Sequence, residues 1–439
     1  MRFYFFSTPM KTTELYKLFE KHPVISTDSR NIPNGCLFFA LKGQNFDGNQ
    51  FAADSITKGA AFAIVDNQDY AIDSRIILVD DVLKSLQELA NLHRRTLGIP
   101  VLAITGTNGK TTSKELIASV LQNRFNITYT QGNLNNHIGV PLTLLKMTTD
   151  TQLAIIEMGA NHPGEIYDLC KIAEPNMGLV TNMGKAHLEG FGSFEGVIKT
   201  KSEMYDFLRE SGGKCFVNAD NELLLKQSAG LEQLTYGTTD QADLRGEAED
   251  SPYFLTAKVL FPKGWLYIRS KLLGAYNFEN IMAAARVGFH FEIDPLLIQK
   301  SIEKYTPTNN RSQLIQRGTN RIIMDAYNAN PTSMLAALQN FSTIDHATKL
   351  VILGDMLELG EYSTDEHQKI ADFLLESHLN TIYLVGSVFC QTKTGTKVKK
   401  FESIELLANY LRQQKQMKDS LILIKGSRGI QLEKILDIF

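Results

Sequence analysis

The stretch "LAITGTNGKTTSKEL" (residues 102–116) decides the fold of this chain. It begins as an apolar strand, turns at Gly106 and Gly109, and continues after Lys110 as a helical segment. Backbone N–H groups at the start of such a helix point towards an anion, and the helix dipole adds to the attraction. The stretch predicts a phosphate-binding loop, although its spacing is shorter than the usual G-x-x-x-x-G-K-[ST] and Ile104 occupies the position of the first glycine.

The polar side chains of this loop have predicted roles in nucleotide binding. The ammonium of Lys110 is expected to contact the β- and γ-phosphates, and the hydroxyl of Thr111 to bind Mg²⁺. The alternative is an ordinary strand-to-helix turn with a solvated lysine, but the flanking strand and helix favour phosphate binding. The loop residues assigned to ATP are Gly106, Thr107, Asn108, Gly109, Lys110, Thr111 and Thr112.

Length and composition describe a multidomain globular protein. A chain of 439 residues is long enough for roughly two to four domains. The net charge of −3 gives no reason to expect nucleic acid as a partner. No apolar run reaches the ~18 residues that span a bilayer, so we expect no integral membrane association. The four cysteines are far apart, which favours a reducing cytoplasm over a disulfide framework.

Continuous apolar strands alternate with helical segments along most of the chain, which is typical of parallel sheets covered on both faces. A linker at residues 98–100 and a polar junction near Tyr305 divide this pattern into three units. In the last unit, the strands in "RIIMDAY", "KLVILGD", "TIYLVG" and "SLILIKG" are each followed by a helical segment. We predict an α/β fold with a small N-terminal domain, a central P-loop domain and a Rossmann-like, doubly wound C-terminal domain. The predicted domains are residues 1–97, 98–305 and 306–439.

Polar residues follow two strands of the central unit. Glu157 ends the strand in "IIEMGANHPGEI", and Asn182, His187 and Glu189 follow the next strand in "VTNMGKAHLEGFGS". A carboxylate at the carboxyl end of a parallel strand lies at the ligand crevice, where it can bind Mg²⁺. An isolated strand-end glutamate or histidine is more often structural or solvated. The nearby phosphate loop makes these residues candidate metal ligands.

The loop "TGTNGKT" resembles the P-loop of the Mur ligase family, whose members use ATP to join an amine to a carboxylate. The family has three domains, with the P-loop opening the second, and the resemblance extends over the whole chain. It implies an acyl-phosphate intermediate made from ATP. It also implies Mg²⁺ and cationic groups that neutralise the charge of the transferred phosphate.

The helical stretch "FEGVIKTKSEMYDFL" contains Lys199 and Lys201, which would be solvated charges if they were isolated. The family carries an A-K-x-E motif whose lysine is carbamylated, and residues 201–203 match it with Thr200 in place of alanine. A carbamate derived from CO₂ turns an ammonium into an anion that can help to hold a second Mg²⁺. The implied catalytic residues are Lys110, His187 and Lys201. The implied metal ligands are Thr111, Glu157, His187 and carbamylated Lys201.

Two further stretches, "DAYNANPTSMLAAL" (325–338) and "LGDMLELG" (353–360), resemble one branch of the family most specifically. That branch adds D-alanyl-D-alanine (D-Ala-D-Ala) to UDP-N-acetylmuramoyl-tripeptide and so forms a peptidoglycan precursor. The implied partners are these small molecules and ATP, and we expect a cytoplasmic monomer. The alternatives are a sister ligase that adds the third amino acid, a folylpolyglutamate synthase-like enzyme and a non-enzymatic, nucleotide-gated binding protein.

The resemblance also assigns residues outside the loop to ligands. The implied ATP-binding residues are Asn277, Asn280, Arg311, Asp325 and Asn328. The implied substrate-binding residues are Ser29, Arg30, Asn133, Asn135, Asn136, Tyr327, Lys425, Ser427 and Arg428. The last three follow a strand and are expected to open a helix, which would give an anion site. Ligands in the third domain imply that this domain closes over the nucleotide. The first nine residues precede the usual start in the family, so Met10 is an alternative initiator to Met1.

Overall fold

The computed structural model describes residues 8–249, 253–308, 310–379, 381–414 and 417–439. The choice between Met1 and Met10 as initiator concerns a segment that lies mostly outside the described residues.

The N-terminal unit is a small parallel sheet flanked by helices. Its helices are α1 (Thr12–Lys21), α2 (Ala52–Thr57) and α3 (Val82–Leu97). Its strands are β1 (Ile25–Ser26), β2 (Leu37–Phe39), β3 (Lys42–Gly43), β4 (Phe46–Asp47), β5 (Phe62–Val65) and β6 (Ile76–Leu78). The main sheet has the order β1-β2-β5-β6, and β3 and β4 form a separate hairpin. Gly98 ends α3 with a left-handed φ of 63°.

The central unit is built on one large sheet with helices on both faces. Its helices are α4 (Lys110–Leu121), α5 (Gly139–Leu144), α6 (Glu165–Ala173), α7 (Leu188–Phe191), α8 (Phe194–Ser211), α9 (Glu222–Gln227), α10 (Phe278–His290) and α11 (Pro295–Lys304). Its strands are β7 (Val101–Thr105), β8 (Ile127–Tyr129), β9 (Leu153–Glu157), β10 (Met177–Val180), β11 (Lys214–Asn218), β12 (Glu232–Gly237), β13 (Leu244–Glu249), β14 (Phe254–Phe261) and β15 (Gly264–Leu273).

The central sheet has the order β15-β14-β13-β12-β11-β10-β7-β9-β8. Strands β7 to β13 pair in parallel, as expected for this unit. Strands β14 and β15 extend the sheet with antiparallel pairing, which the sequence prediction did not include. Their alternating exposure leaves them without a continuous apolar run, so they lack the signal of a strand buried on both faces.

Alternate residues of β7 enter two different cores, which is why its first four positions are all apolar. Val101 and Ala103 face a core shared with α3, α5, α6 and α8. Leu102 and Ile104 face a second core shared with α4, α10 and α11. The strand is therefore fixed on both faces, and its carboxyl end presents the phosphate loop at a defined place.

The C-terminal unit is a second α/β sheet. Its helices are α12 (Pro331–Thr343), α13 (Ser363–Glu376), α14 (Ser387–Gln391) and α15 (Ile404–Gln413). Its strands are β16 (Gln313–Arg317), β17 (Asn320–Asp325), β18 (Lys349–Gly354), β19 (Thr381–Val385), β20 (Val398–Phe401) and β21 (Leu421–Lys425). Their order is β16-β17-β21-β18-β19-β20, parallel except for β16 at one edge. The predicted α/β class is thus confirmed, while the boundaries at residues 97/98 and 305/306 stay predictions.

Two details of the C-terminal unit differ from the sequence prediction. The last strand, β21, is not followed by an α-helix but by two 3₁₀ segments, Arg428–Ile430 and Leu432–Ile438. Gln431 adopts a left-handed conformation between them, with φ of 59°, and this interrupts regular helical hydrogen bonding. The prediction that Lys425, Ser427 and Arg428 open a helix is therefore wrong, because a three-residue 3₁₀ turn has no developed helix dipole.

Candidate active site

The phosphate loop is shaped by two glycines that no other residue could replace without strain. Gly106 has φ of 138°, and a Cβ atom there would lie 2.0 Å from the hydroxyl oxygen of Thr181. Gly109 has φ of 81° and immediately precedes α4, and a Cβ atom there would lie 2.5 Å from Oδ1 of Asn280. The loop therefore combines left-handed backbone with close packing, the two conditions that demand glycine.

The loop is also tied to the segment that follows β10. The hydroxyl of Thr181 donates to the carbonyl of Asn108 (2.6 Å), and the Asn108 N–H donates to Oδ1 of Asn182 (3.0 Å). Thr107 exchanges hydrogen bonds with the backbone of Gly184 at 3.1 and 2.9 Å. Asn182, which the sequence offered as a metal candidate, thus holds the loop in place.

Lys110 curls back over its own loop. Its ammonium donates to the carbonyl oxygens of Gly106 (2.6 Å) and Thr107 (3.0 Å). Desolvation lowers the pKa of Lys110 to about 8, Glu157 opposes this shift, and Arg311 adds to it. The loop therefore holds a half-buried cation with neutral acceptors, and this cation is suited to an anionic ligand.

Glu157 is 1% exposed and lies at the end of β9 beside the loop. Its Oε1 atom accepts hydrogen bonds from the hydroxyl of Thr111 (3.2 Å) and the amide of Asn135 (2.9 Å). Its Oε2 atom has no hydrogen-bond partner among the described residues and lies 3.7 Å from the ammonium of Lys114. A buried carboxylate oxygen without a donor fits a hard cation, so the residues present are compatible with Mg²⁺.

Lys114 was not foreseen from the sequence as part of this site. Its side chain is fully buried, and its ammonium lies 3.0 Å from Glu115 and 5.8 Å from the centre of the Tyr129 ring. A lysine in the first turns of a helix is usually solvated, so a single sequence gives no signal for this burial.

His187 lies beside a residue from the C-terminal unit. Its backbone is left-handed, with φ of 52°, and its Nδ1 atom lies 2.5 Å from Oε2 of Glu358. The imidazole of His187 beside it lowers the pKa of the Glu358 carboxyl. Among the described residues, no group of three or more His, Cys, Asp and Glu side chains is arranged to hold a metal. Of the four predicted metal ligands, only Glu157 and His187 are of these residue types, so the metal site stays a prediction.

Lys201 lies on α8 and is 2% exposed. Its ammonium is 5.5 Å from the centre of the Phe191 ring, and the carboxylates of Glu203 and Glu165 act on it from a distance. Burial lowers the pKa of Lys201 to about 7, and the positive charge of Lys110 contributes to the shift. A large fraction of this lysine is therefore a neutral amine near neutral pH, which is the form that reacts with CO₂.

In the C-terminal unit, two predicted ligand residues are paired with each other. The ammonium of Lys425 lies 2.6 Å from Oδ2 of Asp325, and the two are the last residues of the neighbouring parallel strands β21 and β17. The guanidinium of Arg311 stacks 3.7 Å from the centre of the Tyr327 ring, and Arg428 lies 5.5 Å from the same ring. Ser427 accepts the N–H of Leu357 at 2.9 Å.

The predicted asparagines make hydrogen bonds within the protein. Asn280 accepts the hydroxyl of Ser113 (2.8 Å) and donates to Asn277 (2.8 Å), whose own amide donates to the backbone of Leu273. Asn136 accepts the N–H groups of residues 138 and 139 at the start of α5. These contacts show how the side chains are held, and their roles in adenine or substrate binding stay predictions.

Asn330 connects the two larger units directly. Its amide donates to Oδ1 of Asn108 in the phosphate loop (2.8 Å), while its own Oδ1 accepts the N–H of Ser333 at the start of α12. Asn330 has no role among the sequence predictions. Its position after a strand and before "PTS" marks it as a helix cap, but no local pattern shows that it reaches residue 108.

These residues surround one cavity of about 1290 Å³ that is bounded by all three units. The predicted site residues that line it are Thr107, Asn108, Gly109, Lys110, Thr111, Thr112, Asn133, Asn135, Asn136, Glu157, His187, Asn277, Asn280, Arg311, Asp325, Tyr327, Asn328 and Lys425. The predicted site residues outside this lining are Gly106, Lys201, Ser29, Arg30, Ser427 and Arg428. Arg30 is largely exposed and pairs with Asp28 at 2.8 Å.

A phosphate loop at the carboxyl end of a parallel strand, facing a second α/β unit across a cavity, defines a multidomain P-loop protein. Three family models match successive parts of the chain. "Mur ligase family, catalytic domain" matches residues 23–94, "Mur ligase middle domain" residues 104–288, and "Mur ligase, glutamate ligase domain" residues 310–428. The chain belongs to the Mur ligase family, and the resemblance found in the sequence is confirmed.

Relatives match along nearly the whole chain. A UDP-N-acetylmuramoyl-tripeptide–D-alanyl-D-alanine ligase from Bacillus subtilis is 34% identical, with 94% of this chain and 92% of the relative covered. The ligase of the same name from Escherichia coli is 33% identical, with the same shares covered. Among solved structures, MurF from Acinetobacter baumannii has a TM-score of 0.85 at 30% identity, covering 98% of each chain. MurF from Thermotoga maritima, in complex with ADP, has a TM-score of 0.84 at 25% identity, covering 95% and 96%.

Within the described ranges, no helix is both long enough and apolar enough to cross a lipid bilayer.

Proposed function

We propose that this protein is an ATP-dependent amide ligase that adds D-Ala-D-Ala to UDP-N-acetylmuramoyl-tripeptide. The observation that carries this proposal is the cavity that joins the phosphate loop to side chains of the other two units. Relatives that bear the name of this activity match 94% of the chain, which supports the choice of substrates. The sister ligases and the folylpolyglutamate synthase complex share the fold at 18% identity or less, and this likeness carries no argument for their substrates.

The proposed reaction has two steps. A carboxylate oxygen of the tripeptide attacks the γ-phosphorus of ATP, and the bond to ADP breaks, which gives an acyl phosphate. The amine of D-Ala-D-Ala then attacks the acyl carbon, loses a proton and expels phosphate, which leaves the amide. Both steps depend on orientation and on neutralising phosphate charge, and a cavity shared by three units can provide both.

Lys110 is the cation that the phosphate loop offers to ATP. Its pKa of about 8 leaves it mostly protonated at neutral pH, so it can neutralise phosphate charge. Arg311, on the opposite wall of the cavity, supplies a second cation whose position is fixed by Tyr327. Together they support the proposed contacts of the central and C-terminal units with one nucleotide.

Mg²⁺, when bound, supplies charge neutralisation at the phosphates. Thr111 and Glu157 would hold it beside the loop, and His187 with carbamylated Lys201 would hold a second ion. The burial of Lys201 and its lowered pKa support carbamate formation. We further propose the domain ranges 1–97, 98–305 and 306–439. We also propose that the protein is a monomer and that it works in the cytoplasm, where ATP and UDP-linked precursors are available.

The carbamate can be tested separately from the reaction as a whole. The variant Lys201→Ala should be nearly inactive and should regain part of its activity when a short carboxylic acid such as acetate is added. Lys199→Ala is the matched control, because Lys199 lies on the same helix and is exposed. Full activity of Lys201→Ala without added acid would contradict the carbamate.

The choice among ligases is tested by phosphate release from ATP with matched substrate pairs. We expect release only when UDP-N-acetylmuramoyl-tripeptide and D-Ala-D-Ala are both present. Release with the UDP-muramoyl-dipeptide and a diamino acid, or with folate and glutamate, would instead support a sister activity. Nucleotide binding that Lys110→Ala abolishes, without turnover of any pair, would support the non-enzymatic alternative.

A further inference from the structure

Glu358 brings a carboxylate of the C-terminal unit to a side chain of the central unit. It belongs to the 355–362 loop, which lies against the 187–192 segment that contains α7. Oε2 of Glu358 lies 2.5 Å from Nδ1 of His187, and both side chains line the cavity. The side chain of His187 is 23% exposed and that of Glu358 is 55% exposed, so the contact is formed at the cavity surface.

Backbone contacts hold the 355–362 loop against the 187–192 segment. The N–H of Glu189 donates to the carbonyl of Glu358 (3.4 Å), and the hydroxyl of Tyr362 donates to the carbonyl of Gly192 (3.3 Å). The approach is close at Gly360, where a Cβ atom would lie 3.2 Å from the Cα atom of Glu189. The contact between the two side chains therefore adjoins a packed backbone interface at the cavity surface.

Both partners of the contact are held in an uncommon backbone conformation. His187 has φ of 52° and Glu358 has φ of 65°, a region that non-glycine residues rarely occupy. Such strain persists where the surroundings determine it, and it clusters at functional sites. The 355–362 loop is anchored on its own side as well, because Met356 donates to Nε2 of His367 and Leu357 donates to Ser427, both at 2.9 Å.

We infer that Glu358 is a positioning residue for His187. A carboxylate at Nδ1 fixes the orientation of the imidazole and leaves Nε2 as the nitrogen available to a metal ion. Because Glu358 belongs to the C-terminal unit, the histidine is oriented only when that unit lies in the position seen here. Metal binding in the central unit is thereby coupled to the placement of the C-terminal unit. The inference rests on the proposed role of His187 as a metal ligand.

The effect on His187 can be measured without metal or turnover. In metal-free protein labelled with ¹⁵N-histidine, the NMR signals of His187 are identified by their loss in His187→Gln. We expect the wild type to carry its proton on Nδ1 and Glu358→Ala to lose that preference. Tyr362→Phe is the matched control, because it removes a contact of the same interface that does not involve His187. An unchanged His187 spectrum in Glu358→Ala would overturn the inference.

The effect on metal binding is measured with Mn²⁺ in the presence of β,γ-methylene-ATP. A carboxylate that orients a metal-bound histidine typically contributes about 10- to 100-fold in affinity, so Glu358→Ala should weaken the Mn²⁺ site that His187→Ala removes by about that factor. Glu358→Asp should restore part of the affinity, and Tyr362→Phe should equal the wild type. Equal Mn²⁺ affinity in Glu358→Ala and wild type, or no loss in His187→Ala, would overturn the inference.

The inference and the proposed function fail in different ways. If the wild type releases no phosphate with tripeptide and D-Ala-D-Ala, the proposed function fails whatever the Glu358 variants do. If the wild type ligates and Glu358→Ala matches it in Mn²⁺ affinity and His187 spectrum, only the inference fails.

Discussion

The phosphate loop and the part of the cavity lined by the C-terminal unit, here called the C-terminal wall, each hold a lysine away from bulk water, in opposite ways. Among the described residues, the half-buried ammonium of Lys110 donates to two carbonyl oxygens of its own turn, so dipoles solvate its charge without cancelling it. Lys425 lies 2.6 Å from Asp325, so its charge is neutralised within the protein. The difference separates a cation that is prepared for an anionic ligand from one that fixes the ends of two strands, β17 and β21.

Removal of Lys110 tests the first half of this comparison and should have the largest effect. Loss of one preorganised cation at the transferred phosphate should lower kcat about 10²- to 10³-fold, or about 3–4 kcal/mol. Lys110→Arg should also fail, because a planar guanidinium does not fit between the carbonyls of Gly106 and Thr107. Steady-state phosphate release measures the effect, with the exposed Lys146→Ala as control. More than a tenth of the wild-type kcat in Lys110→Ala would show that Lys110 is not the main phosphate cation.

Removal of Lys425 tests the second half, and its effect should fall on stability. Lys425→Met leaves the carboxylate of Asp325 mostly buried without its partner, which costs roughly 3 kcal/mol. Thermal unfolding of the full chain should show a lower Tm, while the exposed Lys434→Met should not. An unchanged Tm with lost nucleotide affinity would reverse the assignment and make Lys425 a ligand residue.

The shape of the loop is tested by a glycine substitution. Gly106→Ala combines a left-handed φ of 138° with a Cβ atom 2.0 Å from the hydroxyl oxygen of Thr181. We therefore expect the free energy of unfolding to fall by about 2 kcal/mol and ADP binding to weaken. Gly212→Ala is the control, since its φ is also left-handed (71°) but nothing lies within 4 Å of the added atom. ADP affinity by calorimetry should fall only in Gly106→Ala. Equal effects of the two variants would show that backbone strain alone, and not packing, demands glycine in the loop.

Removal of the hydrogen bond between Asn330 in the C-terminal wall and Asn108 in the phosphate loop should have the smallest effect. Asn330→Ser keeps a residue that caps α12 but cannot reach Asn108, so the KM for ATP should rise by a factor that corresponds to about 1 kcal/mol. Ser333→Ala removes the other half of the capping box and should leave this KM unchanged. A KM for ATP that moves equally in both variants would mean that Asn330 acts only as a helix cap.

The same comparison explains how much the sequence could predict. The phosphate loop is encoded in consecutive residues, so strand β7, the turn and helix α4 were all predicted from local pattern. The C-terminal wall depends on residues about a hundred positions apart, such as Asp325 and Lys425, and on contacts such as Asn330 with Asn108. A single sequence carries no signal for such pairings. The order of the C-terminal strands was open for the same reason.

Two further features show where local pattern fails. The antiparallel strands β14 and β15 alternate in burial and lack the continuous apolar run that marked the other strands. The contact of His187 with Glu358 joins two loops, and both residues adopt a left-handed conformation that neither residue type favours. The position of His187 after a strand made it a candidate, and the resemblance to the family added a role, but its partner is visible only in the folded chain.

The central claim is that this cavity makes an amide through an acyl phosphate. It is tested most directly with UDP-N-acetylmuramoyl-tripeptide whose terminal carboxylate is labelled with ¹⁸O, incubated with ATP and D-Ala-D-Ala. Mass spectrometry of the released phosphate should show one ¹⁸O atom per phosphate, because a carboxylate oxygen leaves with the phosphoryl group. Unlabelled phosphate, or release that does not depend on D-Ala-D-Ala, would contradict the account.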